Sequence, residues 1–231
     1  MKSLVIIPAR GGSKGIPHKN IKILGGKPLI CHTIDHIRGL VEDKYICVSS
    51  DDNEIIKVVE EYGLNVPFKR PENLATDTIG TYEVLLHALK FYENRNEQFD
   101  NVILLQCTSP FCRKQDIKNA LDLYDGNLDM VVSVVESTSN PYYNIFEEDK
   151  NGYLVISKGD GNLKRRQEAP KTWEYNGAIY IINPESLKKK PLTQFNKIKK
   201  YEMDKIHSID LDDPLDWKLA ELMIKEELVK L

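Results

Sequence analysis

The chain has 231 residues, 41% of them hydrophobic and 29% charged, so it can bury a sizeable core as one main domain without disulfide or metal staples. A formal net charge of −3 leaves no basic excess, which excludes a protein that works by wrapping nucleic acid. The longest apolar stretches, such as Leu4 to Ile7 and Val131 to Val135, are too short to cross a bilayer, and the N-terminus lacks a signal-peptide pattern; a cytoplasmic protein with no membrane partner is expected.

In chain order, Leu4 to Ile7 reads as a buried strand ended by Pro8 and a glycine-rich loop. Pro28 opens a helix whose face carries Leu29, Ile30, Thr33, Ile34 and Ile37, and Tyr45 to Ser49 is a second strand. Asp51 and Asp52 are candidate caps for a helix through Ile55 and Val59, which Gly63 ends before a short strand at Asn65 to Phe68. A helix from about Thr78 to Asn94, a strand Val102 to Gln106, a helix near Lys114 to Tyr124 and a strand Met130 to Val135 continue the rhythm, predicting a doubly wound α/β fold with a mainly parallel sheet.

From Asn140 to Asn162 the pattern changes to alternating residues with turn signals at Asn151-Gly152 and Gly159-Asp160-Gly161, predicting hairpins in a small inserted lobe. A strand Ala178 to Ile182 follows, and Asp213-Pro214 opens a last helix on which Leu215, Leu219, Leu222 and Met223 share a face. Cys31, Cys47, Cys107 and Cys112 form no C-x-x-C pair and read as reduced core thiols. His32 and His36, one turn apart, lack a third ligand and read as a helix-surface pair, and the lysines at 188 to 190 and 197 to 200 as solvated surface.

The loop after the first strand, Ala9-Arg10-Gly11-Gly12-Ser13-Lys14-Gly15-Ile16-Pro17-His18-Lys19-Asn20, sets three cations among three glycines. Backbone N–H groups there can approach phosphate oxygens without a Cβ in the way, while Arg10, Lys14 and Lys19 neutralise a nucleotide tail. The loop is neither a Walker A loop nor a dinucleotide fingerprint. Asp210 and Asp212, one residue apart, would point the same way from an extended backbone and share a hard cation, with Asp213 left to cap the last helix.

The segment from Ile6 to Asn20 resembles the N-terminal signature of the CMP-N-acylneuraminate synthetases, or acylneuraminate cytidylyltransferases. The segments Arg70 to Asp77, Gln106 to Pro110, Asn176 to Tyr180 and Ser208 to Asp212 repeat the resemblance in the same order. It implies a three-layer, Rossmann-like nucleotidyltransferase spanning residues 1 to 231, with the lobe at about 140–171 serving as a dimerisation arm. The implied reaction transfers CMP from CTP to a nonulosonic acid with one or two Mg²⁺ ions, which Mn²⁺ could replace, bound at Asp210 and Asp212.

On the same resemblance, Arg10, Lys14, Lys19, Asp210 and Asp212 would be catalytic. The nucleotide would meet Ala9, Arg10, Gly11, Gly12, Ser13, Lys19, Asn20, Arg70 and Thr81, and the sugar Gln106, Arg166 and Tyr180. Read as a lone residue, Arg70 would pair with a surface acid such as Glu72; Ser109 is a turn former or a contact, and Asn176-Gly177 a contact or a plain strand entry. Tyr142-Tyr143-Asn144 stands where the best-known sialic acid enzymes carry a lysine, and only Phe195 where they carry an aromatic pair. The expected acceptor is therefore N-acylneuraminate or a relative such as legionaminate, pseudaminate or a deaminated sialic acid. The rivals are a Kdo or other sugar nucleotidyltransferase and a non-catalytic nucleotide-binding protein.

Overall fold

The computed structural model describes residues 1–76 and 79–231. Strand β1 (Ser3–Pro8) is continuous apolar chain buried on both faces, which suits the middle of a covered parallel sheet. A small antiparallel pair, β2 (Ile23–Leu24) and β3 (Lys27–Pro28), leads into helix α1 (Leu29–Ile37). Then come β4 (Ile46–Ser49), α2 (Asn53–Glu61), α3 (Thr81–Glu93), β5 (Asn101–Leu105), α4 (Lys114–Asp122) and β6 (Met130–Glu136). The lobe hairpin is β7 (Phe146–Glu148) and β8 (Leu154–Ile156); β9 (Trp173–Ile182), α5 (Pro184–Lys189), β10 (Ile198–Glu202) and α6 (Pro214–Lys225) complete the chain.

Six strands form the central sheet in the order β10-β6-β9-β5-β1-β4, with β9 the one antiparallel member. Period-two alternation divides β1 between two cores. Val5 and Ile7 pack with α1, α2, α4 and α6, whereas Leu4 and Ile6 pack with α3 and α5. The result is the expected three-layer α/β architecture with a mostly parallel sheet. All four cysteines are buried and free.

Several expectations need correction. Residues 65 to 68 form no strand: Pro67 interrupts the run, and the contact with β4 shrinks to a single bridge between Ser50 and Lys69. Helix α3 begins at Thr81, after Gly80, and Thr78, where its start was expected, lies outside the described residues. The lysines at 197 to 200 are exposed as read, but the sequence reading missed that the segment forms an edge strand, β10, whose solvent-facing side accommodates them. On α6 the buried residues are Trp217, Ala220 and Met223; Leu215, Leu219 and Leu222 face outward, because the indole claims the core side of the helix.

His32 is buried, with Nε2 2.8 Å from the Leu24 carbonyl oxygen, so the two histidines are not a surface pair. Burial pushes the His36 imidazole down to about 4. Of the two candidate caps for α2, Asp52 does the capping, accepting from the N–H groups of Glu54 and Ile55, while Asp51 turns toward the loop.

Candidate active site

Parallel β1, β4 and β5 end at one rim of the sheet, where open α/β folds bind ligands. The glycine-rich loop is fastened there at both ends. Ala9 N–H donates to Ser49 O at 2.9 Å, and Asn20 Nδ2 to Arg10 O at 3.0 Å. Lys19 Nζ donates to Leu211 O at 2.6 Å and reaches Asp212 Oδ1 at 3.2 Å. Gly15 lies against the Asp212 carbonyl, closer than any real Cβ could come, so a side chain there would push the loop off the carboxylate segment. Between these anchors Gly12 faces open space, and Ser13 and Lys14 follow it.

Arg10 and Arg70 line a cavity of about 280 Å³ with Pro8, Thr81, Val84 and Gln106, small enough to suit a pyrimidine nucleoside. Arg70 is 4% exposed and does not pair with Glu72. Its Nη2 donates to Ser49 O at 2.7 Å, Nη1 to Leu74 O at 3.5 Å, and Asp51 stands 4.0 Å away. Burial lowers the guanidinium's pKa and Asp51 opposes the shift. The wall from Leu74 to Thr76 and Ile79 had no signal beyond its place in the motif, and Asp77 lies outside the described residues.

Across the loop, Asp210 is half-buried, and that burial holds its carboxyl above the usual range. Asp212 pushes the same way; the Thr108 hydroxyl and Lys19 oppose. Among the described residues Asp210 Oδ1 and Ser109 Oγ are buried without a hydrogen-bond partner, a pattern that points to a ligand. Asp212 is exposed, and Asp213 caps α6 through Leu215 N and Asp216 N, as the sequence assigned.

Among the described residues no three His, Cys, Asp or Glu side chains cluster into a cage. One orphaned carboxylate oxygen beside a second, open carboxylate fits Mg²⁺, which takes few protein ligands and completes its shell with water and phosphates.

Gln106 lines the cavity of Arg10 and Arg70, one residue beyond β5. Tyr180 is half-buried; burial first and the Asp210 charge second raise its pKa, so it stands on the carboxylate side. Arg166 is not with them. It is exposed in a separate cavity of about 490 Å³ at the lobe's root, with Glu136, Asn140 and Lys171. Asp51, read from the sequence only as a candidate cap, and Ser109 and Gly177, left open between contact and turn or strand entry, all touch this constellation.

The family model for cytidylyltransferases matches residues 4–230. The chain belongs to the cytidylyltransferase family. This cytidylyltransferase is 34% identical over 226 residues to a CMP-N,N'-diacetyllegionaminic acid synthase of Legionella pneumophila, covering 97% of each chain. It is 38% identical over 215 residues to an N-acylneuraminate cytidylyltransferase of Streptococcus agalactiae, covering 92% of this chain and 51% of that one. Among solved structures, a CMP:2-keto-3-deoxy-manno-octonic acid synthetase complexed with CTP superposes with a TM-score of 0.72 at 19% identity, covering 98% of this chain and 100% of that one. That likeness speaks to the fold of the cytidylyltransferase alone.

Proposed function

We propose that the chain transfers CMP from CTP to the anomeric hydroxyl of a nonulosonic acid, an N-acylneuraminate or a relative such as legionaminate, and releases pyrophosphate. The carrying observation is the union, at one sheet rim, of an arginine-lined nucleoside cavity with a cation-bearing loop bolted to a carboxylate pair. The names of the legionaminate and N-acylneuraminate relatives supply the acceptor class.

In this reading Arg70 and Thr81 hold the cytidine, and Arg10, Lys14 and the N–H groups of Gly11 to Ser13 hold the triphosphate. Gln106 and Tyr180 orient the sugar so that its anomeric oxygen approaches the α-phosphorus opposite the leaving pyrophosphate. The bond between that oxygen and phosphorus forms as the α–β phosphoanhydride bond breaks, and the hydroxyl proton passes to solvent. Lys19, held beside Asp212, offsets negative charge at the reacting phosphate. Mg²⁺ held by Asp210 and Asp212 would supply Lewis-acid stabilisation of the phosphate charge and orient the triphosphate.

The reading extends to a homodimer. The lobe hairpin exposes Phe146, Tyr153, Leu154 and Val155, an apolar surface of the sort a second copy covers. Arg166, remote from the Gln106 cavity in its own chain, would then serve the partner's sugar carboxylate. A cytoplasmic location agrees with the absence, among the described residues, of any helix long and apolar enough to cross a membrane.

The test is a panel of acceptors incubated with CTP, scored by pyrophosphate release and by the mass of the CMP-sugar. The expected result is turnover with legionaminate or a sialic acid. Turnover with Kdo alone would replace the acceptor class with the one named by the structural neighbour. CTP binding without turnover of any acceptor would instead leave a nucleotide-binding protein.

A further inference from the structure

Strand β9 does not run evenly beside β6. Val132 pairs with Tyr180 and Val134 with Tyr175, so four residues of β9, from Asn176 to Ile179, stand opposite Ser133 alone. Such a bulge interrupts the ladder and re-aims the strand. Here side chains replace the missing ladder bonds. Ser133 Oγ accepts from Ile179 N at 2.8 Å and donates to Asn176 Oδ1 at 2.6 Å, and that oxygen also accepts from Ala178 N at 3.2 Å.

The bulge leaves Gly177 in the left-handed region, φ +75°, with its α-face against Asp210. A Cβ there would sit 3.4 Å from Asp210 Oδ2 and 3.9 Å from Ser109 Oγ.

Asn176 also faces outward from the bulge. Its Nδ2 donates to Ser208 Oγ at 2.9 Å; Ser208 Oγ in turn donates to Asp204 O at 2.6 Å, and the Asp204 carboxylate accepts from His207 N at 3.0 Å. Residues 204 to 208 are the turn that delivers Asp210, whose far side is fixed by Leu211 N donating to Thr108 O at 2.8 Å. A single amide, 5% exposed, therefore ties both the surface beneath Asp210 and the turn that presents it.

We propose that Asn176 is a positioning residue: through the β9 bulge and Ser208 it holds the Asp210 carboxylate half-buried beside Gly177, with Oδ1 left without a protein hydrogen bond. The metal consequence of this proposal rests on the proposed function; the positioning itself does not.

Asn176→Ala would remove a buried hub and endanger the fold, so the test is made at the other end of the tie. Ser208→Ala breaks it near the surface, and Ser208→Thr keeps the hydroxyl. The segment that presents Asp210 is followed by hydrogen exchange of the Leu211 amide, by NMR on nitrogen-labelled full-length protein at one fixed pH, and the Mn²⁺ concentration for half-maximal turnover is measured alongside.

In Ser208→Ala the Leu211 amide, held by Thr108 O, is expected to exchange about tenfold faster and the Mn²⁺ requirement to rise about tenfold, as when a group supporting a metal ligand is lost. Ser208→Thr should restore both. A Leu211 exchange rate in Ser208→Ala identical to that of the unaltered chain overturns the proposal. Faster exchange with an unchanged Mn²⁺ requirement supports the positioning and overturns the metal assignment at Asp210.

Discussion

The rim of the sheet and the inserted lobe are built on opposite terms. At the rim, the side chains that matter are tied to backbone carbonyls of neighbouring strands and turns: Arg70 to Ser49, Lys19 to Leu211, Asn20 to Arg10. At the turn of the lobe hairpin the side-chain bonds are local, such as Asp149 accepting from Asn151 and Tyr153, and the apolar side chains of the hairpin point into solvent. The rim is tied together by bonds within its own chain and the lobe leaves its apolar residues uncovered, and the proposed function assigns nucleotide binding to the first and meeting a second copy to the second.

The strongest way to test that division is at the carboxylates. Asp210→Asn should lower turnover about 10³-fold, measured by pyrophosphate release, as expected when a metal ligand is weakened and the charge stabilisation the ion would supply is lost. The same substitution should raise stability without divalent metal. Because burial raises the Asp210 carboxyl, the folded chain keeps that proton to higher pH than the unfolded chain does. Its stabilising contribution is present at acid pH, below the unfolded carboxyl value, and is lost as pH climbs through the raised value. Asp210→Asn should therefore lift Tm by about 2 °C at pH 8 and by nothing at pH 4, checked by calorimetry.

Next in size is Arg70→Lys. It leaves a charge but loses the planar fork that spans Ser49 O and the cavity, so CTP affinity should fall about 30-fold by titration calorimetry. An unchanged affinity would place the nucleoside elsewhere. Gly15→Ala forces the loop away from Asp212, and kcat/KM should fall about tenfold while metal-free CTP binding, governed by the Arg70 end, holds.

The lobe's turn comes with Leu154→Asp. Light scattering should report a monomer, and acceptor KM should rise about tenfold with CTP KM steady. A dimer unaffected by that charge would separate the hairpin from assembly. The smallest effect belongs to the outward stripe of α6: Leu219→Lys should change stability by no more than about 0.5 kcal/mol in urea unfolding.

The contrast also explains what could be read from sequence. The rim loop announced itself because glycines and cations directly after a buried strand have few other uses, and the capping role of Asp213 followed from the proline behind it. The face of α6 was misread because counting leucines ignored Trp217, whose indole outcompetes them for the core. Arg70 looked like a surface cation when taken alone; only the fold shows it 4% exposed beneath the rim.

The β9 bulge was invisible, since four residues opposite one is a relation between strands distant in sequence, carried by a serine and an asparagine of unremarkable type. The strand β10 was hidden by its own lysines, which a solvent-facing margin accommodates.

Those lysines have a use of their own. β10 closes one side of the sheet, and an unguarded strand there would invite another molecule's strand to add on through its free peptide groups. Exposed Lys199, with Lys200 resting over the Trp173 ring, makes that side repel its own duplicate. The chain can then be concentrated, and can reopen transiently during folding, without seeding stacked fibres from this margin.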